Sequence, residues 1–295
     1  MENQNKGIRV VGHIVLMLMS LAVIVPFWLM ISSSFTDEQV LLKNGYSLFP
    51  EKISLLAYEY LFSGAGNIFS AYGITLLVTA VGTVFGLLFT VLLAYALSIR
   101  DLPGRRLLAF FVFFTMLFNG GLVPTYMLYT GTFHIKNTIW ALIVPSLLVS
   151  AFKVIIARSY FETSIPPEVV EASRIDGANE ARILFKIVMP MALPILATLG
   201  LMTGLAYWNN WTNGLYYITD KSLYSVQQML TEMMRNMQLL QEGGIDIGSS
   251  EIARNLPSTS LRMAIAVVGT LPIMVIYPIF QKYFVKGMTL GAVKG

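Results

Sequence analysis

The chain has 295 residues, 56% of them hydrophobic and only 12% charged, with a formal net charge of +4 and no cysteine. A soluble domain carries about a quarter charged residues, so this chain cannot clothe a water-facing surface, and its solvent is largely bilayer. The missing cysteines exclude disulfide frameworks, thiolate metal sites and cysteine nucleophiles together.

Six apolar runs follow in chain order, at 12–31, 70–99, 107–128, 139–157, 191–208 and 261–283. Each approaches or exceeds the about 20 residues that cross a hydrocarbon core. They are continuous, not the alternating segments of about ten residues that build a barrel, so they read as helices. The first run follows Lys6 and Arg9 and precedes Ser32-Ser33-Ser34, which has the outline of a cleaved signal. Its length, and Pro26 and Trp28 near its far end, favour a retained span. Segment 32–69 mixes Asp37, Glu38, Glu51 and Glu59 with Lys43 and Lys52 and offers a docking surface for an external protein. Gly82 and Gly86 in the second run, and Gly200 and Gly204 in the fifth, are four apart; such pairs let a neighbouring helix approach closely, although incidental glycines would look the same.

Orientation comes from Lys and Arg, which accumulate on the cytoplasmic side. With the N-terminus inside, thirteen fall inside, Lys153 and Arg158 among them, and seven outside. The expectation is N-in and C-in. Trp28, Trp140 and Trp208 fall near span ends, where amphipathic rings settle.

The polar stretch between the fourth and fifth runs is organised as a short helical hairpin. Ser164-Ile165-Pro166-Pro167 reads as a helix entry, since proline suits a first turn. Glu168 and Glu171 lie near the positive end of that helix, and Glu168, Glu171, Ala172 and Ile175 share one face. Gly177 can adopt the left-handed turn that ends it, and Asn179 suits the cap of a second helix running toward Pro190. On residues alone, a solvated linker remains open.

Glu171-Ala172-Ser173, three residues, Gly177, nine residues, then Ile187-Val188-Met189-Pro190 resembles the EAA loop of bacterial ABC importer permeases. That family's pattern is Glu-Ala-Ala, three residues, Gly, nine residues, then Ile-x-Leu-Pro; Ser173 and Met189 are the departures. The resemblance implies an all-α integral membrane protein with six transmembrane helices, N-in and C-in, in the type I ABC importer permease fold. It implies a first helix and external segment over 1–69, a permease core over 70–283 with the loop at 158–190, and a cytoplasmic tail over 284–295. By the same resemblance the loop enters a cleft on an ATP-binding subunit. Glu171 would meet a basic group there, Ala172 would sit where a larger side chain clashes, and Gly177 would permit the turn. Ser173, Arg174, Asp176, Ile187 and Pro190 complete the coupling set. The chain has no Gly-x-x-x-x-Gly-Lys-Ser/Thr loop, so it is expected to be no enzyme, with ATP and Mg bound by a partner.

Gln281-Lys282-Tyr283-Phe284-Val285-Lys286-Gly287 and the closing Gly291-Ala292-Val293-Lys294-Gly295 are similar to the tail of the maltose-type second permease, which reaches the ATPase interface. Asn119-Gly120-Gly121-Leu122-Val123-Pro124-Thr125-Tyr126 and Trp208-Asn209-Asn210-Trp211 resemble the lipoprotein-dependent branch that takes up complex or acidic oligosaccharides of the aldouronate and alginate type. The implied partners are a second homologous permease, two ATP-binding subunits, an external binding lipoprotein and a carbohydrate, in a bacterial cell membrane and without nucleic acid. A permease for peptide or polyamine is the alternative.

Tyr207, Trp208, Asn209, Asn210 and Trp211, with Asn213, Tyr216 and Tyr217, gather at the outer end of the fifth run. Aromatic faces and amides suit sugars, which makes the first five a candidate substrate path. An interfacial aromatic belt needs no ligand and is the heavier reading. Farther on, Val226, Met229, Leu230, Met233, Met234 and Met237 fit one helix face, and Glu242-Gly243-Gly244-Ile245-Asp246-Ile247-Gly248 reads as a connector. His13 and His134 have no metal-ligand spacing around them, so no metal and no catalytic residue is expected.

Overall fold

The computed structural model describes residues 2–63, 68–241 and 258–292; the Glu242–Gly248 connector lies outside them. The chain is helical almost throughout. α1 (Glu2–Ser34) contains Pro26. α2 (Glu38–Asn44) is capped by Asp37, which accepts from the Gln39 N–H at 3.1 Å. α3 (Leu56–Ser63) and α4 (Ile68–Ser98) follow. Next come α5 (Arg105–Leu117), α6 (Leu122–Met127) with a π turn at Leu128–Thr132, and α7 (Ile139–Ile143). The hairpin region holds α8 (Ala151–Ser164), α9 (Pro167–Ile175), α10 (Glu180–Ile183), a π turn at Leu184–Val188 and α11 (Met189–Met191). α12 (Leu193–Trp208), α13 (Thr212–Tyr217), α14 (Val226–Gln241) and α15 (Ser258–Ala292) complete it. Among the described residues the one extended pairing is an isolated bridge, Thr36 to Ile53.

Residues 1–68 with 230–272 form one unit, and residues 69–229 with 273–295 another. In the first unit, none of the apolar window of α1 is buried, whereas Ser32, Ser33 and Ser34 at its end are. Trp28 donates from its indole N–H to the Leu48 carbonyl at 2.8 Å, and Ser34 Oγ meets the Tyr58 hydroxyl at 2.8 Å. Glu38 reaches the start of α15. Its carboxylate accepts from the Thr259 and Ser260 N–H groups, each at 2.8 Å, and from Ser260 Oγ at 2.9 Å. A helix start leaves its first N–H groups without partners, and here an acid 220 residues earlier supplies them.

In the second unit two apolar clusters lie toward opposite ends of α4. Near its Ser98 end, Val91, Ala94 and Leu97 pack with Val154, Ala157 and Phe161 of α8 and with Ile183, Leu184 and Val188 of the hairpin. Near its other end, Val78 packs with Ala141, Leu142, Ile143, Tyr207 and Tyr217. The two glycine pairs face each other between them. A Cβ on Gly82 would lie 2.5 Å from the Tyr207 ring, and one on Gly86 3.2 Å from Thr203 Cγ2. Gly200 and Gly204 meet Leu87 and Thr83 in return, each at 3.4 Å. The pairs are therefore a packing device for α4 on α12, as small residues at helix contacts are.

Among the described residues three helices are long and apolar enough to cross a membrane, Arg9–Ser34, Ile68–Ser98 and Ser258–Pro278, and two bent pairs raise the number to as many as five if each is one span. The apolar runs at 107–128, 139–157 and 191–208 are thus less continuous than their composition suggests. Arg105–Leu117 and Leu122–Thr132 meet at 117°, because Gly121 turns at φ +86 with its N–H held by Asn119 Oδ1 at 2.9 Å. The fourth run is interrupted between α7 and α8 around Pro145 and Ser146, the latter at φ +61. Glu180–Met191 and Leu193–Trp208 meet at 86°, at the prolines 190 and 194, which lack the N–H that continues a helix. The stripe on α14 is buried at Val226, Met229, Leu230, Met233 and Met237, but Met234 stands 38% exposed and does not belong to it.

Candidate functional site

α9 begins where the two prolines place it, with Pro167 in its first turn. Its end is a double-bonded turn: the Gly177 N–H donates to the Arg174 carbonyl and the Ala178 N–H to the Ser173 carbonyl, each at 3.0 Å. This pairing requires a left-handed residue after the helix, and Gly177 supplies φ +80. Asn179 caps α10 by accepting from the Arg182 N–H at 2.8 Å. Both the turn and the cap are where the residues predicted them.

The hairpin differs in exposure along its length, Glu180, Ala181 and Arg182 of α10 being open as α9 is. Ile183, Leu184 and Val188 are sealed in the core, while Glu168, Glu171, Ala172 and Ile175 stand open on α9, Ile175 at 87%. Ser173 turns its hydroxyl back to the Val169 carbonyl at 2.7 Å, and Asp176 is exposed. Arg174 donates from Nε to Glu180 Oε1 at 2.9 Å, and the other oxygen of Glu180 accepts from the Tyr95 hydroxyl. Glu180 thereby joins α9, α10 and α4, a role that residue spacing did not suggest. Beside it, a cleft of about 340 Å³ is lined by Tyr95, Arg100, Asp101, Glu162, Glu171 and Arg174. Ile187 and Pro190 lie apart from the open face: Ile187 sits in the π turn and Pro190 in α11, just before the 86° bend. They shape the base of the hairpin, not its tip.

The five outer candidates divide. Tyr207 is buried on Gly82 and donates its hydroxyl to the Ile143 carbonyl at 2.9 Å. Trp208 is buried too, its ring centroid 6.3 Å from that of Tyr72. Asn210 accepts from the Asn213 N–H at 3.0 Å. Asn209 and Trp211 are exposed. Asn213 is buried, donating to the Pro145 carbonyl at 3.0 Å. Tyr207 and Asn213 thus satisfy carbonyls released where the fourth run breaks, a demand on buried backbone that must be met. A cavity of about 350 Å³, apolar where the first is partly polar, lies between α4, α12 and α15 and includes Thr79, Thr83 and Tyr277 in its wall. Among the described residues no group of His, Cys, Asp and Glu could hold a metal ion.

The hairpin, with its open α9, is joined to straight and bent apolar helices of membrane-spanning length and composition. Residues 86–290 match the family described as binding-protein-dependent transport system inner membrane component, and the chain belongs to that family. It is 36% identical over 280 residues to the polygalacturonan/rhamnogalacturonan transport system permease protein YtcP of Bacillus subtilis, covering 95% of this chain and 96% of the relative. It is 35% identical to Protein LplC of the same organism, covering 92% and 90%. A crystal structure of a bacterial ABC transporter involved in the import of the acidic polysaccharide alginate contains a chain that superposes with a TM-score of 0.75 at 28% identity, covering 95% of this chain and 98% of that one.

Proposed function

We propose that this chain is one permease half of an ATP-driven importer of oligosaccharides, with acidic sugars as the cargo class. The relatives named for polygalacturonan, rhamnogalacturonan and alginate support the cargo, and the arabinooligosaccharide permeases AraQ, 28% and 25% identical, support a sugar over a peptide or polyamine. In this reading the chain crosses a bacterial cell membrane six times, with both ends inside, the bent pairs and the broken fourth run each serving as one crossing. Its partners are a second permease, two ATPase subunits that bind ATP and Mg, and an external binding lipoprotein.

The observation that carries the coupling role is that Glu171, Ala172 and Ile175 stand open on α9 while Ile183, Leu184 and Val188 anchor the hairpin in the core. Glu171, Ala172 and Ile175 dock on the ATPase subunit, and Arg174 with Glu180 keeps α9 fixed to α10 while it is pushed. Closure of the ATPase dimer then moves the hairpin, and with it α4 and α8, which share its core. Asn209 and Trp211, open at the far end of α12, are the substrate-path candidates that remain accessible. The test is a cysteine at position 172 in this cysteine-free chain, carrying a short crosslinker in the intact complex. Capture of the ATPase subunit, strengthened or weakened by ATP, is expected. Crosslinks that form to lipid or to the permease alone, in a complex that still transports, would overturn the docking assignment.

A further inference from the structure

Residue counting puts Lys153 near the inner end of the fourth run, and the structure adds where it lies in its helix. α8 begins at Ala151, so Lys153 lies in its first turn, eleven residues before its end at Ser164. Its Nζ donates to Thr203 Oγ1 at 2.9 Å. Thr203 in turn sits against Gly86, close to the midpoint of the 31-residue α4. A lysine ammonium thus stands half-buried at mid-depth of the longest helix in its unit. No ion pair reaches it among the described residues, its recorded partner being a neutral hydroxyl that is itself bonded to the Leu199 carbonyl at 2.7 Å.

A charge at bilayer depth is costly, and such residues usually face a cavity or pathway and serve it. Two further polar atoms lie on the adjoining face of the α4–α12 contact, in the wall of the cavity between α4, α12 and α15. Thr79 Oγ1 and Thr83 Oγ1 are buried without a hydrogen-bond partner, and Thr83 Oγ1 faces Gly204. The ammonium beside Thr203, and the two unmet hydroxyls on the adjoining face of the α4–α12 contact, suit a polar, anionic passenger.

We propose that Lys153 is a specificity-determining residue of the transport path, its mid-depth ammonium, anchored by Thr203, giving a transient counter-charge to the carboxylate of a uronic-acid oligosaccharide. This rests on the acidic-sugar reading above. Lysine serves this use well: a flexible stem lets a compact charge leave one oxygen partner for another, and the Thr203 hydroxyl is a partner weak enough to be exchanged.

The experiment uses the complete complex in vesicles with its binding lipoprotein, and trigalacturonate as the probe. Uptake and binding-protein-stimulated ATP hydrolysis are read together for Lys153→Arg, Lys153→Met and Lys153→Glu. The expected order of uptake follows charge: Arg stays within about threefold of the parent, Met falls about tenfold, and Glu falls further, while ATP hydrolysis stays within about twofold. Thr203→Val keeps the charge and frees it, raising the apparent KM for trigalacturonate more than it lowers the maximal rate. It carries the test if the Met and Glu variants do not assemble. Three results overturn the proposal: Met within twofold of the parent, Arg as poor as Met, or hydrolysis falling in step with uptake, which would mark Lys153 as a packing or partner-carboxylate contact. A parent complex that imports a neutral oligosaccharide but not trigalacturonate would instead sink the acidic-cargo reading, and this inference with it.

Discussion

Replacing Gly177 separates backbone geometry from side-chain contact at the turn that holds α9. A Cβ at this position would meet nothing within 4 Å, so substitution there carries no clash. The whole penalty of Gly177→Ala is the left-handed backbone at φ +80, about 1–2 kcal/mol for an L-residue. That corresponds to an increase of about 5- to 30-fold in opening of the turn, which hydrogen exchange at the Ala178 amide reports directly, because that amide is bonded to Ser173. Gly177→Asn should cost less, since asparagine tolerates this conformation. Gly177→Pro differs in kind. Proline is locked near φ −65° and has no N–H, so it loses both the turn and the 3.0 Å bond to Arg174, at a cost of about 3 kcal/mol or more. The core beneath, with Ile183, Leu184 and Val188, is untouched, so the protein should reach the membrane in normal amount. Uptake in reconstituted vesicles is expected to rank Gly, Asn, Ala and then Pro, the last down at least a hundredfold while ATP hydrolysis continues. Normal uptake by the proline variant at confirmed expression, or an alanine variant as poor as proline, would refute the reasoning.

Two other perturbations read the packing. Gly82→Ala drives a Cβ to 2.5 Å from the Tyr207 ring, so the ring must move and release the Ile143 carbonyl; a loss of about 1–3 kcal/mol is expected, seen as a lower unfolding temperature in detergent. Glu38→Gln tests the start of α15. Burial pushes the Glu38 carboxyl up, but the Ser260 and Thr259 N–H groups and hydroxyls outweigh it and hold it below the ordinary 4.5. Its stabilising effect is therefore full above that value and fades as the pH falls through the lowered one. Near neutrality the parent should exceed the glutamine variant by about 1 kcal/mol, a figure already reduced for the partial exposure of the group, and the two unfolding temperatures should converge as the pH falls below 4.5 and through the lowered value.

Local chemistry was readable where the partner lies nearby in the chain. Pro167, Gly177 and Asn179 each act within one turn of themselves, and each does what its residue type dictates. The glycine pairs were readable as a packing face, though not which helix met which. Distance in sequence hid the rest. Glu180 joins Tyr95 across 85 positions, and Tyr207 and Asn213 serve carbonyls 64 and 68 positions away. Those carbonyls need partners only because the fourth run breaks, and hydropathy cannot register a break when its residues stay apolar. The same break sets the place of Lys153: with residues 144–150 outside any helix, the helix that carries it begins at Ala151 and extends beyond the apolar run. Met234 shows the limit of a stripe, since a helix face is wider than the strip that burial selects.

The contrast between the tip and the root of the hairpin has a consequence for how such machines diversify. On the proposed coupling role, everything a motor would recognise lies on the nine residues of α9, and none of it is needed to close the core. The root, through Ile183, Leu184 and Val188, answers to the permease's own interior. Recognition and architecture are therefore separable modules, free to change at different rates, and a lineage of transporters can share one engine or acquire another by rewriting a single turn-bounded helix while its cargo chemistry stays as it was.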